Sequence, residues 1–224
     1  MLTNDYQEIL RAYKGYGGLV AKDDPHVAES YLKRYWLSAA QYAQDWQALH
    51  SRIFAAEKRL PGMIFKQDWG FVSLLGGAML GERDIAHLQR CMQVIGDRSF
   101  VVIQDTFGMD ADQLSYAFRL KYPATISWTE LVSGNYISAA LFDLPEHHYY
   151  LFGDSGKWGV YIASDEIESV NLIGFEKSYS QLFRTSFNIP PGEYCETMED
   201  LDYIPADDRP DLKAWVPEPY RQIT

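Results

Sequence analysis

The stretch HHYYLFGDSGKWGVYIASDE, from His147 to Glu166, constrains the fold of this chain more than any other. Two runs rich in β-formers, HHYYLF and WGVYIA, flank Gly153-Asp154-Ser155-Gly156-Lys157. Strand-forming runs separated by so short a turn-prone segment can only fold back on each other, so an antiparallel hairpin is expected. A type I turn across Gly153–Gly156 places Asp154 and Ser155 at its centre. Gly156 then takes the left-handed position that an L side chain resists.

The letters GDSG also surround the nucleophilic serine of trypsin-like proteases, which makes Ser155 a candidate nucleophile. That chemistry needs a second glycine where Lys157 stands, and a histidine and a buried aspartate earlier in the chain with characteristic neighbours. His26, His50 and His87 fall in segments of helical pattern and lack those neighbours. The residue pattern therefore assigns Asp154, Ser155 and Gly156 to turn geometry, with no catalytic residue among them.

Other chemical motifs fail in the same specific way. A phosphate-binding loop ending at Gly156-Lys157 needs a glycine and a hydroxyl residue where Leu151 and Trp158 stand. GYGG at Gly15–Gly18 follows a helical pattern and not a strand, so it is no dinucleotide fingerprint. His147 and His148 are adjacent, and consecutive strand residues face opposite ways, which opposes shared metal ligation. No HExxH or CxxC occurs. Cys91 and Cys195 match no metal spacing, and two thiols far apart fit a reducing compartment, although one long-range disulfide remains open. Cys91 lies near an apolar helical stripe and reads as core. Acidic pairs such as Asp165-Glu166 and Asp207-Asp208 arise by chance in an acidic chain. The expectation is no metal and no cofactor.

Helical periodicity dominates the first 60 residues. In SAAQYAQDWQALHSRIFAAEKRL, from Ser38 to Leu60, Tyr42, Trp46, Leu49, Ile53 and Phe54 recur at threes and fours, and Pro61-Gly62 should end the helix. DPHVAESYLKRYWL begins with Asp24 as N-cap and Pro25 at the first helical position. Trp69–Leu80 reads as a buried strand ending in a turn. A helix with Ile85, Leu88, Met92 and Ile95 on one face follows, closed by Gly96 as a left-handed cap. Phe100–Gln104 is a strand, and YAFRLKYP another, ended by Pro123. Ser127-Trp-Thr-Glu130 is a capping-box pattern that should open a short helix, Gly134-Asn135 should break it, and YISAALFDL should be extended. The predicted fold class is α+β: N-terminal helices packed with a largely antiparallel sheet, and a proline-rich acidic C-terminal segment. A single domain is expected over 1–187, helical over 1–60 and mixed over 61–187. Residues 188–224 should pack on it.

Charge narrows the partners. The chain of 224 residues has a net charge of −11. Residues 188–224 hold nine acids against three bases, six of the ten prolines, and the aromatics Tyr194, Tyr203, Trp215 and Tyr220. Such a surface repels a phosphate backbone, so nucleic acid is not expected as a partner, whereas a basic protein would be attracted. No apolar run approaches the roughly 18 residues of a membrane span, and the first residues lack a signal-peptide pattern, so the expected location is cytoplasmic, with no membrane partner. Glu199, Asp200, Asp202, Tyr203, Asp207, Asp208 and Trp215 are the candidate partner-binding residues, as aromatic anchors within a charged rim.

The segment Trp128–Phe187, with WTEL, GNYISAALFDLP, YYLFGDSGKWGVY, NLIGF and LFRTSF, resembles bacterial immunity proteins, the cytoplasmic antidotes of polymorphic or contact-dependent toxins. EKRLP…LLGG, from Glu57 to Gly77, is similar to the SUKH immunity superfamily, with a longer spacing to the hairpin than that superfamily implies. The resemblance implies a protein that binds and neutralises a cognate toxin, such as a basic nuclease, without catalytic residues. The competing readings are a hydrolase-type enzyme with a site of scattered Asp, Glu and His, and an effector-associated chaperone or adaptor.

Overall fold

Alternation along the strands builds the molecule. In SFVVIQ, Phe100 and Val102 face one way and Val101 and Ile103 the other, and all four are buried. Strands apolar on both sides must be covered on both sides, so the sheet needs helices above and below it. The computed structural model describes residues 6–7, 25–56, 64–66, 68–75, 80–105, 117–134, 137–138, 148–164 and 169–188.

Six strands form one sheet: β1 (Trp69–Leu75), β2 (Ser99–Gln104), β3 (Arg119–Pro123), β4 (Tyr149–Gly153), β5 (Trp158–Ser164) and β6 (Ser169–Glu176). Their order is β1-β6-β5-β4-β2-β3, and every neighbouring pair is antiparallel. The α+β expectation therefore holds. Register sorts the side chains by face: Val102 lies opposite Leu151, and Val160 opposite Ile173, on the first face; Val101 meets Phe152, and Tyr161 meets Leu172, on the second.

The first face is covered by α1 (Pro25–Tyr35), by the longer helix Glu82–Ile95 and by the helix Ser180–Ser186, through Tyr31, Leu32, Ile85, Leu88, Met92 and Phe183. Gly96 closes the Glu82–Ile95 helix at φ +93°, as its sequence position predicts. The second face is covered by a helical rod of three parts: α2 (Ala39–Gln41), a π-helical turn (Tyr42–Trp46) and α3 (Gln47–Ile53). Ser38 caps it reciprocally with Gln41. With the rod counted as α2 and α3, the helices Glu82–Ile95, Trp128–Leu131 and Ser180–Ser186 are α4, α5 and α6.

Three sequence expectations are corrected. The rod ends at Ile53, not Leu60, because Phe54 turns extended and bridges to Phe65 over two facing glycines of the sheet. Gly159 and Gly174 are register partners, and a Cβ on them would lie 2.6 Å from the Phe54 ring and 2.4 Å from the Phe65 ring. The pair of glycines makes the floor on which these rings rest. Ser127 caps α5 by accepting from the Glu130 amide, but the Glu130 carboxylate turns away to Arg34 and Tyr35, so the box is only half formed. In YISAALFDL, Ile137 and Ser138 are helical, held by the Ile137 amide on Gly134 O and the Ser138 hydroxyl on Val132 O; the rest lies outside the described residues. So do Asp24, the Gly76-Gly77 pair and residues 189–224.

Candidate functional site

The β4–β5 hairpin has the expected turn. The Gly156 amide donates to Gly153 O at 3.1 Å, and Gly156 sits at φ +64°. What holds the turn down is Asp97, a buried carboxylate just after α4. It accepts from the Ser155 amide at 2.6 Å and from Trp158 Nε1 at 2.7 Å. Asp154 makes the reciprocal contacts, accepting from the Arg98 amide and the Ser99 hydroxyl. A Cβ on Gly153 would lie 2.6 Å from both the Asp97 carboxylate and the Trp158 indole nitrogen, so glycine is required for their approach. Burial raises the Asp97 pKa, and the Trp158 and Ser155 hydrogen bonds oppose that rise. GDSG is therefore the latch of a hairpin onto the α4–β2 corner. The Ser155 hydroxyl accepts from the Lys157 amide and also donates to the Asp97 carboxylate, within the same latch.

The histidines are built into packing. His50 Nδ1 lies 2.9 Å from the Tyr42 hydroxyl, and its ring stacks on Phe152 with Phe54 and Tyr150 around it. The π-helical turn begins at Tyr42, eight residues before His50. Burial depresses the His50 pKa to about 4, partly countered by Asp105, and Nε2 is enclosed without a hydrogen-bond partner among the described residues. His87 accepts at Nδ1 from Arg90 and packs on Phe187; burial first and Arg90 second lower its pKa. Cys91 is a free thiol in the core; burial raises its pKa against the lowering effect of the Ser186 hydrogen bond and the Arg90 charge, and the raised pKa opposes nucleophilic character. His148 Nδ1 meets the Tyr161 hydroxyl at 2.9 Å; His147 lies outside the described residues. Among the described residues, no group of three or more His, Cys, Asp or Glu side chains is placed to hold a metal ion. No helix among them is long and apolar enough to cross a membrane.

Sequence reasoning missed one concave site. The exposed side of α1 and the turn after α5 border an open concavity of about 420 Å³, lined among the described residues by His26, Val27, Ser30, Tyr31, Arg34, Tyr35 and Ser133. Arg34 Nη1 is 2.6 Å from Glu130 Oε1, and Tyr35 donates its hydroxyl to the same oxygen at 2.6 Å. Beneath, Tyr122 donates to Tyr31 at 2.8 Å, and Tyr31 donates to Leu131 O. Burial raises both tyrosines, so both remain neutral donors. The signal available was the spacing in PHVAESYLKRY, which sets His26, Ser30 and Arg34 in one row and Val27, Tyr31 and Tyr35 in the next.

Of the sequence-predicted site residues, the structure brings Asp154, Ser155 and Gly156 together as the turn. Glu199, Asp200, Asp202, Tyr203, Asp207, Asp208 and Trp215 lie outside the described residues. Comparison with protein-family models, with curated proteins and with solved structures finds no match.

Proposed function

We propose that this chain is a cytoplasmic immunity protein that binds and neutralises a cognate bacterial toxin with a basic surface. The observation that carries this reading is the distribution of charge: nine acids and four aromatics lie together over 188–224 in a chain of net charge −11. An acidic surface speeds encounter with a basic partner, and aromatic anchors then supply affinity. The chemistry of the fold is compatible with an inhibitor, which acts by covering a target and needs no nucleophile. Ser155, Cys91, His50 and His87 serve the hairpin, the core and the helix contacts.

The test begins from the neighbourhood of the gene. A toxin-domain protein encoded beside it is expressed with and without this chain, and growth and complex formation are measured. The expected outcome is rescue of growth together with a stoichiometric complex whose association slows with added salt. Unrelieved toxicity, or hydrolytic turnover by the purified chain in esterase, phosphatase and nuclease assays, would sink the proposal.

A further inference from the structure

The cavity between α1 and α5 has features of a small-ligand site that the toxin-binding reading does not use. Its volume of about 420 Å³ falls within the roughly 300–1,000 Å³ typical of such sites. Its walls are set in advance. Gly134, just after α5, packs so closely on Tyr31 that a Cβ there would lie 2.7 Å from the ring. The Tyr122–Tyr31–Leu131 hydrogen bonds then tie α1, β3 and α5 into one unit.

The chemistry of the lining is polarised. Arg34 is held from two sides, by Glu130 and by the Tyr35 ring, whose centroid is 5.1 Å from the guanidinium carbon. Its side chain is nonetheless 66% exposed. A guanidinium has five N–H donors, and contact with one carboxylate oxygen leaves others directed outward. The neighbouring Glu130 charge is offset by Arg34 and by the donated Tyr35 hydroxyl. Along the same row stand the Ser30 hydroxyl and the His26 imidazole, while Val27 and the Tyr35 ring make the adjoining row apolar. α1 itself carries Lys33 and Arg34 against the single acid Glu29, an excess of base in a strongly acidic chain.

We propose that this cavity binds a small oxyanion, a carboxylate or phosphate carried on a compact apolar body. Arg34 takes the oxyanion in a charge-assisted contact, with Ser30 as a further donor, and Val27 and the Tyr35 ring cover the apolar body. The inference is independent of whether the chain neutralises a toxin.

The test is amide NMR titration of the full chain with four probes: phenyl phosphate, benzoate, inorganic phosphate and benzyl alcohol. Phenyl phosphate or benzoate should shift resonances of α1 and of Ser133 saturably, and the stronger of the two identifies the preferred oxyanion. Inorganic phosphate should bind about tenfold more weakly, and benzyl alcohol should not saturate. Arg34→Gln should weaken binding about tenfold. Ser30→Leu, at an exposed helix position, should fill the cavity and abolish binding. Both variants should keep the free spectrum elsewhere, which separates loss of the site from loss of the fold. Benzyl alcohol binding as tightly as benzoate, unchanged affinity in Arg34→Gln, or no saturable shift with either aromatic anion would overturn the assignment.

Discussion

A methyl group at Gly153 would meet the Asp97 carboxylate and the Trp158 indole nitrogen, the two groups that latch the hairpin. Gly153→Ala should therefore part a buried carboxylate from its donor, at a cost of about 3 kcal/mol. Gly156→Val should cost about 2 kcal/mol or more, because a β-branched residue resists φ +64° and its Cβ would lie 2.9 Å from Leu49. Ser155→Ala keeps the amide that Asp97 needs and should cost under about 1 kcal/mol. Denaturant unfolding of the three variants checks the order. Equal stability of Gly156→Val and Ser155→Ala would refute the turn. The role of Asp97 was not legible in the sequence, because its partners stand 58 and 61 residues further along the chain.

The helical rod Ala39–Ile53 shows the limit of periodicity as a guide to an element. Its apolar stripe is visible in the sequence, and Trp46 and Ile53 are buried as that stripe requires. Its end is not visible, since Phe54 leaves the helix to reach a glycine floor supplied by β5 and β6. The rod also carries a pH dependence. The His50 pKa falls from 6.5 to about 4 on folding, so between those values the unfolded chain binds the extra proton. Its contribution is complete above about pH 6.5 and is lost as the pH drops toward 4. At roughly 1.4 kcal/mol per pKa unit, the loss is about 3 kcal/mol. His87, also lowered, acts with the same sign. His50→Leu should flatten the decline of stability across this window, measured by denaturant unfolding at several pH values. An unaltered slope would mean that His50 is not the group responsible. Separately, Ser38→Ala removes the cap of the rod and should cost about 1 kcal/mol at any pH, read from the same unfolding curves.

The property that belongs to the whole molecule is its net charge of −11. If the acids of 188–224 steer a basic partner, changing Glu199, Asp200, Asp202, Asp207 and Asp208 together to their amides should slow association and flatten its dependence on salt. Dissociation should change less, because steering acts before contact. Stopped-flow rates with the proposed partner at low and high salt decide it: association equal to that of the unaltered chain at both salts would remove these residues from the encounter.

Local interactions leave their mark in short stretches of sequence, and those features were legible. The hairpin, the left-handed closures at Gly156 and Gly96, the cap at Ser127 and the apolar faces of the main helices each depend on residues within a few positions of one another. Tertiary structure alone decided which distant residues meet. Gly159 and Gly174 became a floor for Phe54 and Phe65, Glu130 left its own capping box for Arg34 and Tyr35, and α1 came to wall a cavity with the end of α5. Each of these joins segments far apart in the chain, and their meeting follows from strand order and the packing of two faces, which no local pattern encodes.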